Sequence, residues 1–242
     1  MSELYRDTGV ILRTYKLRES DRIVVIHTRD NGKVRAVAKG VRKTKSKFGA
    51  RLEPMSHVNL QLYRGRELDI VTQAESVEPL APMLSSLDRA SQGLAALEAV
   101  DQLSMEREPN EQLYRMAVGV LRTIAGAPSP INVPAFYWKL LASEGFRPQL
   151  DACQRCGEGE PDAQLVAFDL GEGGVLCRNC RSGQAISQAA LDTVRDILGG
   201  RLARALAQEE SPVTHEVSHL ATRALEFHIE RRLKAVAMFE AH

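Results

Sequence analysis

No stretch of this sequence is apolar for the roughly 18 residues that a membrane-crossing helix needs, so no membrane partner is expected. The opening residues Met1-Ser2-Glu3-Leu4-Tyr5-Arg6-Asp7 carry acids and lack the apolar run of a secretory signal. The expected location is therefore the cytoplasm. Cysteine is scarce, with only four in 242 residues, and in a compartment that keeps thiols reduced these are expected to be ligands rather than disulfides. The sequence also lacks a G-x4-G-K-[ST] phosphate loop, a G-x-S-x-G elbow and a G-x-G-x-x-G opening a helix. Nothing reads as a nucleotide-hydrolysing or acyl-transfer centre, and a non-enzymatic protein is expected. Internal repeats and low-complexity segments are missing too.

What is present is an ordinary globular composition, 44% hydrophobic and 26% charged, with a net charge of only +1. That near-neutrality conceals an imbalance. Residues 1–80 hold 16 Lys+Arg against 10 Asp+Glu, whereas residues 81–242 hold 16 against 21. An anionic partner for the N-terminal part follows.

Segments 8–15, 22–28, 33–38, 57–63 and 68–74 are rich in Val, Ile, Leu and Tyr and read as short strands, with turn signals at Asp30-Asn31-Gly32 and Arg64-Gly65-Arg66. Five strands with a long excursion between the third and fourth suit an OB-type barrel; an SH3-like barrel fits the pattern almost as well. After Pro79 and Pro82 the period changes to that of helices, with Leu84, Leu87, Leu94, Leu97, Val100 and Leu103 as apolar positions. Further helices are expected at about 110–125, from Asn132 to Gly145, from Ser187 to Gly199-Gly200, and over 213–239. The fold class is thus multidomain α+β. Residues 1–79 form the barrel domain, and 80–242 form a helical domain into which residues 148–184 insert a small cysteine-bearing module.

Eight cations stand between Asp30 and Glu53 with no acid among them: Lys33, Arg35, Lys39, Arg42, Lys43, Lys45, Lys47 and Arg51. Mutual repulsion makes such a cluster costly unless an anion neutralises it, and a polyphosphate backbone does so while releasing counterions. The other readings are a solvated loop and contact with lipid headgroups. Gly40, Ser46 and Gly49 predict a flexible loop, and Phe48 is the one aromatic within the run, with Tyr5, Tyr15 and Tyr63 on neighbouring segments. This pairing of charge and aromatic rings is thin but of the kind that holds single strands.

The cysteines form two knuckles, Cys153-x2-Cys156 and Cys177-x2-Cys180, separated by 20 residues, and the segment between them reads as a hairpin around Gly171-Glu172-Gly173. Two such pairs supply the closed tetrahedral thiolate set that zinc prefers, and four thiolates leave no open position for a substrate. One structural Zn2+ is expected. An iron–sulfur cluster or a redox disulfide pair are the alternatives. Arg155, Arg178 and Arg181 place positive charge near the knuckles, and Arg195, Arg201 and Arg204 offer a second basic surface. His215-Glu216-Val217-Ser218-His219 matches the zinc-protease H-E-x-x-H pattern. On a helical wheel, however, Val217, Leu220, Ala221 and Ala224 form the apolar stripe and both histidines lie opposite it. A solvated polar face is expected there.

Several of these segments together resemble the bacterial RecO family: Thr8-Gly9-Val10-Ile11-Leu12, Glu19-Ser20-Asp21, Thr28-Arg29-Asp30-Asn31-Gly32, Ala38-Lys39-Gly40-Val41-Arg42-Lys43 with Ser46, and Leu52-Glu53-Pro54. The likeness is sharpest over residues 8–78 and continues through the cysteine pairs. It implies an OB barrel followed by helices and a zinc ribbon. It also implies a recombination mediator in DNA repair that binds single- and double-stranded DNA, anneals complementary strands, and with RecR helps load RecA onto DNA coated by single-strand-binding protein. By that likeness Lys39, Arg42 and Lys43 match the basic motif, and Cys153, Cys156, Cys177 and Cys180 match the zinc ligands. A nucleoid-associated location in the cytoplasm is implied with it. The readings from other classes are a zinc-dependent hydrolase using His215 and His219, and a zinc-ribbon transcription factor.

Overall fold

The computed structural model describes residues 3–79 and 81–234. The chain forms two compact units that part between Ala127 and Pro128.

In the first unit, β1 (Leu4–Lys16), β2 (Arg22–Thr28), β3 (Gly32–Ala38), β4 (His57–Tyr63) and β5 (Asp69–Ser76) close into a barrel in the order β1-β2-β3-β5-β4. β1 pairs antiparallel with both β2 and β4, while β3 and β5 meet in parallel. A 3-10 helix, Gly49–Leu52, follows the basic loop between β3 and β4. This connectivity is of the OB type and separates it from the SH3-like alternative. Alternate residues of the strands point inward: Ile11, Val24, Ile26, Ala36, Leu60, Leu62 and Val71 fill the interior, together with Phe48 and Leu52 from the connection.

Two helices, α1 (Leu87–Leu103) and α2 (Glu111–Gly126), pack on the barrel within the same unit. Ser86 and Asn110 cap them, accepting bonds from the backbone N–H of Arg89 and Leu113. The apolar positions expected along the first helix divide. Leu97 and Val100 are buried, but Leu84, Leu87 and Leu94 are exposed, so only part of the expected stripe lies on the packed face, where Gly93 and Ala96 join Leu97 and Val100. A Cβ on Gly93 would stand 2.5 Å from the Met55 sulfur, and it is this missing side chain that lets the helix approach.

The second unit holds α3 (Asn132–Ser143), α4 (Gln188–Leu198), α5 (Leu202–Leu206), α6 (Pro212–Ile229) and a three-stranded sheet in the order β7-β6-β8. Its strands are β6 (Leu165–Asp169), β7 (Gly174–Cys177) and β8 (Gln184–Ala185). Trp138 of α3, 1% exposed, sets its ring edge-on to Phe168 of β6 at 5.7 Å and ties the sheet to the helices. Ser187 and Ser211 cap α4 and α6. The helix expected over 213–239 stops at Ile229, where Glu230 takes a left-handed conformation; residues beyond 234 lie outside those described.

Candidate nucleic-acid interface and metal centre

The basic loop is folded rather than free. Two turns run through it, the Lys43 N–H reaching the Gly40 carbonyl and the Ser46 N–H that of Lys43. The buried Phe48 ring then fixes its far end in the barrel core. Its near end is clasped to the β1–β2 turn. The Asp21 carboxylate accepts the Gly40 N–H at 2.7 Å, and the Arg42 N–H reaches the Ser20 carbonyl at 3.0 Å. Gly40 is there because the turn demands a positive φ, +68°. The bond from Gly40, aided by the Ser20 hydroxyl, holds the Asp21 carboxyl below its ordinary range. Arg22 bonds Glu53 at 2.7 Å and joins the start of β2 to the turn after the 3-10 helix.

The eight cations sort by their partners. Lys33 is turned away from the loop: its ammonium reaches the Asp101 carbonyl at 2.7 Å and the carboxylate at 3.2 Å, and its side chain is only 16% exposed. Asp101, buried at the end of α1, also receives Arg13 at 2.8 Å. Arg35 stands 3.9 Å from Glu106. Both residues sit on β3, and acids from α1 and from the connection after it compensate them from outside the segment. The other six, Lys39, Arg42, Lys43, Lys45, Lys47 and Arg51, are exposed and have no carboxylate within 4.0 Å among the described residues. Arg42 donates to the Glu19 carbonyl, Lys47 to that of Thr72, and Arg51 to that of Lys47. Carbonyl partners orient these side chains without cancelling their charge. The result is a dense positive surface held in one shape on one end of the barrel.

The aromatic expectation changes with the geometry. Phe48, 1% exposed, is a core residue and offers no face to a ligand. The Tyr5 hydroxyl is tied to Asp69, and burial together with that bond raises its pKa. Tyr15 and Tyr63 remain on the surface, 43% and 37% exposed.

The four cysteines meet. Their sulfurs all lie within 4.8 Å of one another, and those of Cys156 and Cys177 are 3.8 Å apart, close to the edge of about 3.8 Å that a tetrahedron with metal–sulfur bonds of ~2.3 Å requires. Each knuckle turns on backbone bonds, the Gly157 N–H to the Cys153 carbonyl and the Cys180 N–H to that of Cys177. Burial raises the Cys153 thiol, but the backbone N–H groups of Cys156, Cys177 and Arg155 outweigh it and bring the pKa down to about 6. Hydrogen bonding to Cys177 and burial push Cys180 up to about 12. Zinc binds cysteines as thiolates, so metal binding at such a cluster releases protons. The donor set fits a closed, soft-ligand site with no open position.

Each arginine of the expected second basic surface has an acidic partner, though Arg201 and Arg204 have one carboxylate between them. Arg195 meets Glu160, Asp192 and Asp151, while Arg201 and Arg204 share the Asp196 carboxylate. Arg155 is paired with Glu172. Arg178 instead donates to the neutral Gln164 side chain at 2.8 Å. The H-E-x-x-H residues scatter: His215 bonds Glu210, His219 bonds Gln184, and Glu216 accepts both the N–H and the hydroxyl of Ser187. Val217, Leu220, Ala221 and Ala224 are buried as the helical wheel predicts, and the Glu is a cap-binding group. Among the described residues only the four cysteines assemble as a metal-binding group.

Two family models match most of the chain. Recombination protein O N terminal covers residues 1–80, and Recombination protein O C terminal covers residues 84–237. The chain belongs to the RecO family. Among its relatives, the DNA repair protein RecO of Nocardioides sp. (strain ATCC BAA-499 / JS614) is 43% identical over 98% of this chain and 99% of its own length. The RecO family models divide near residue 80, after the barrel, whereas the compact units divide at 127, because α1 and α2 pack on the barrel.

Proposed function

We propose that this RecO-family chain is a recombination mediator in DNA repair. It binds single- and double-stranded DNA, anneals complementary strands, and acts with RecR to load RecA onto DNA coated by single-strand-binding protein. The observation that carries the DNA contact is the clasped loop with its six exposed and uncompensated cations. Lys39, Arg42, Lys43, Lys45, Lys47 and Arg51 form the phosphate-contacting set, with Arg35 at its margin and Lys33 outside it. Salt bridges of this kind to phosphates are indifferent to base sequence, which suits an annealing protein better than a transcription factor. The reaction is one of screening: a positive surface lowers the repulsion between two phosphate backbones and lets complementary strands meet. No step requires nucleotide hydrolysis, and the chain is read as non-enzymatic.

In this reading residues 1–79 are the DNA-binding domain and residues 80–242 the helical domain, with the ribbon over 148–184. Cys153, Cys156, Cys177 and Cys180 hold one structural Zn2+, whose contribution is to cross-link a module too small to build its own core. The working location is the cytoplasm, on the nucleoid. The test is annealing of complementary strands coated with single-strand-binding protein, with and without RecR. The wild type is expected to anneal them, and the variant with Lys39, Arg42, Lys43 and Lys45 changed to Glu is not; undiminished annealing by that variant would overturn the proposal.

A further inference from the structure

The strand register draws a row of side chains across the outside of the barrel. Tyr15 of β1 faces Ile23 of β2, Ile23 faces Val37 of β3, Val37 faces Ile70 of β5, and Ile70 faces Tyr63 of β4. None of the five belongs to the barrel's interior cluster, whereas their sequence neighbours Val24, Ala36, Ala38, Leu62 and Val71 do. Ile23, Val37 and Ile70 are half-buried, and the row ends in the two most exposed tyrosines of the barrel. Four inter-strand steps of ~4.8 Å make it roughly 19 Å long.

Two bulges create this row. Up to Ile11, β1 pairs in one register with β2, Ile11 opposite Ile26 and both inside. The register then slips by one residue at Leu12, so that Arg13 faces Val25 and Tyr15 faces Ile23. Without the extra residue Arg13 would face Val24 and turn into the core. A second slip lies on β5 at Thr72, between the Gln61–Gln73 and Leu62–Val71 pairs, and it brings Ile70 rather than Val71 opposite Tyr63. A one-residue slip moves every following side chain to the other face of the bulged strand, so Tyr15 owes its outward aim to the first bulge and Ile70 to the second, while Tyr63 faces outward by the unbroken alternation of β4 after Val58, Leu60 and Leu62.

The row is flanked by positive charge. Lys39 lies just past the end of β3, two residues after Val37, whereas Lys16 and Arg22, in the next register position with the interior Ala38, alternate to the other face and Arg22 is paired with Glu53. Lys47 of the basic loop bonds the carbonyl of Thr72, the bulged residue itself. The Arg13 guanidinium, tethered to Asp101, lies 5.1 Å from the Tyr15 ring centre and steadies it. An apolar, aromatic-ended strip joined to a phosphate-binding loop fits an unpaired strand whose bases are exposed. A duplex hides those bases and offers only its backbone to the loop.

We infer that the row Tyr15–Ile23–Val37–Ile70–Tyr63 is a base-stacking platform for single-stranded DNA, giving the chain a preference for unpaired strands that the basic loop alone does not supply. This rests on the DNA-binding reading above. The test is equilibrium binding of a short oligothymidylate and of a duplex to the full chain with Tyr15→Ala, Tyr63→Ala, Tyr15→Phe and Tyr63→Phe. Each alanine change is expected to weaken oligothymidylate binding about tenfold, to leave duplex binding within about twofold, and to leave the salt dependence unaltered, since no charge is lost. The phenylalanine variants keep the ring and are expected to bind like wild type, which excludes misfolding as the cause. Unchanged oligothymidylate binding in both alanine variants, or an equal loss for duplex, overturns the platform. So does loss of binding to RecR with DNA affinity intact, which would make the row a protein-docking face. Failure of the wild type to bind either DNA is a different result and overturns the DNA-binding reading itself.

Discussion

Replacing Lys33 by Met separates the structural cations of the basic segment from the functional ones. The substitution removes an ammonium that bonds both the carbonyl and the carboxylate of Asp101 and leaves a carboxylate that is 6% exposed. Breaking a buried ion pair from one side typically costs about 3–5 kcal/mol. Here Arg13 remains 2.8 Å from the other carboxylate oxygen, itself half-exposed, so a smaller loss of about 2 kcal/mol is expected. The assay is urea unfolding followed by far-ultraviolet circular dichroism. Intrinsic fluorescence does not serve, because the one tryptophan, Trp138, lies in the second unit. Lys43→Met is the contrasting change: an exposed residue whose loss is expected to alter stability by no more than about 0.5 kcal/mol while flattening the salt dependence of single-strand binding by roughly 0.7 in log–log slope. Lys33→Met is expected to leave that slope alone. If Lys33→Met flattened the slope like Lys43→Met and cost less than about 0.5 kcal/mol, the partition of the segment would be refuted.

Cys153→Ser removes one of four thiolates, and metal analysis of the purified chain is expected to find its zinc lost, whereas His215→Ala retains it; the reverse pattern would shift the metal site to α6. Asp21→Ala unclasps the Gly40 turn, so DNA affinity is expected to fall although no cation is removed, as read by oligothymidylate binding. Because the Asp21 pKa is depressed in the folded chain, the clasp is present above the ordinary carboxylate range and is lost as pH falls through the folded value. His27 is fully buried and burial brings its pKa down to about 4. The unfolded chain therefore binds a proton that the folded one refuses between about pH 6.5 and 4, and stability falls with pH across that window, by about 3 kcal/mol in all; His27→Gln is expected to flatten that limb of the pH–stability profile.

The barrel was legible because its strands are rich in Val, Ile, Leu and Tyr and its turns carry Asn-Gly and Gly. Expected strand limits such as 22–28 and 57–63 coincide with β2 and β4. The cysteine cluster was legible for a different reason, since the chemistry of a knuckle is local and two of them need only meet. Charge compensation was not legible. Asp101 and Glu106 pair with Lys33 and Arg35 from about 70 residues away; a count of charges along the chain is blind to such partners. Phe48 looked like a ligand-facing ring because it stands among lysines, yet the loop returns it to the core. The bulge at Leu12 has neither glycine nor proline to mark it. The outward turn of Tyr15 is visible only in the register.

The most direct test of the central claim is the salt dependence of oligothymidylate binding, measured for the wild type and for the chain with Lys39, Arg42, Lys43 and Lys45 changed to Ala. If these four cations meet phosphates, their loss is expected to flatten the log–log slope by about 3, at roughly 0.7 per phosphate, with the far-ultraviolet spectrum and metal content unchanged. A slope that stays at the wild-type value would place the phosphates elsewhere and contradict the account.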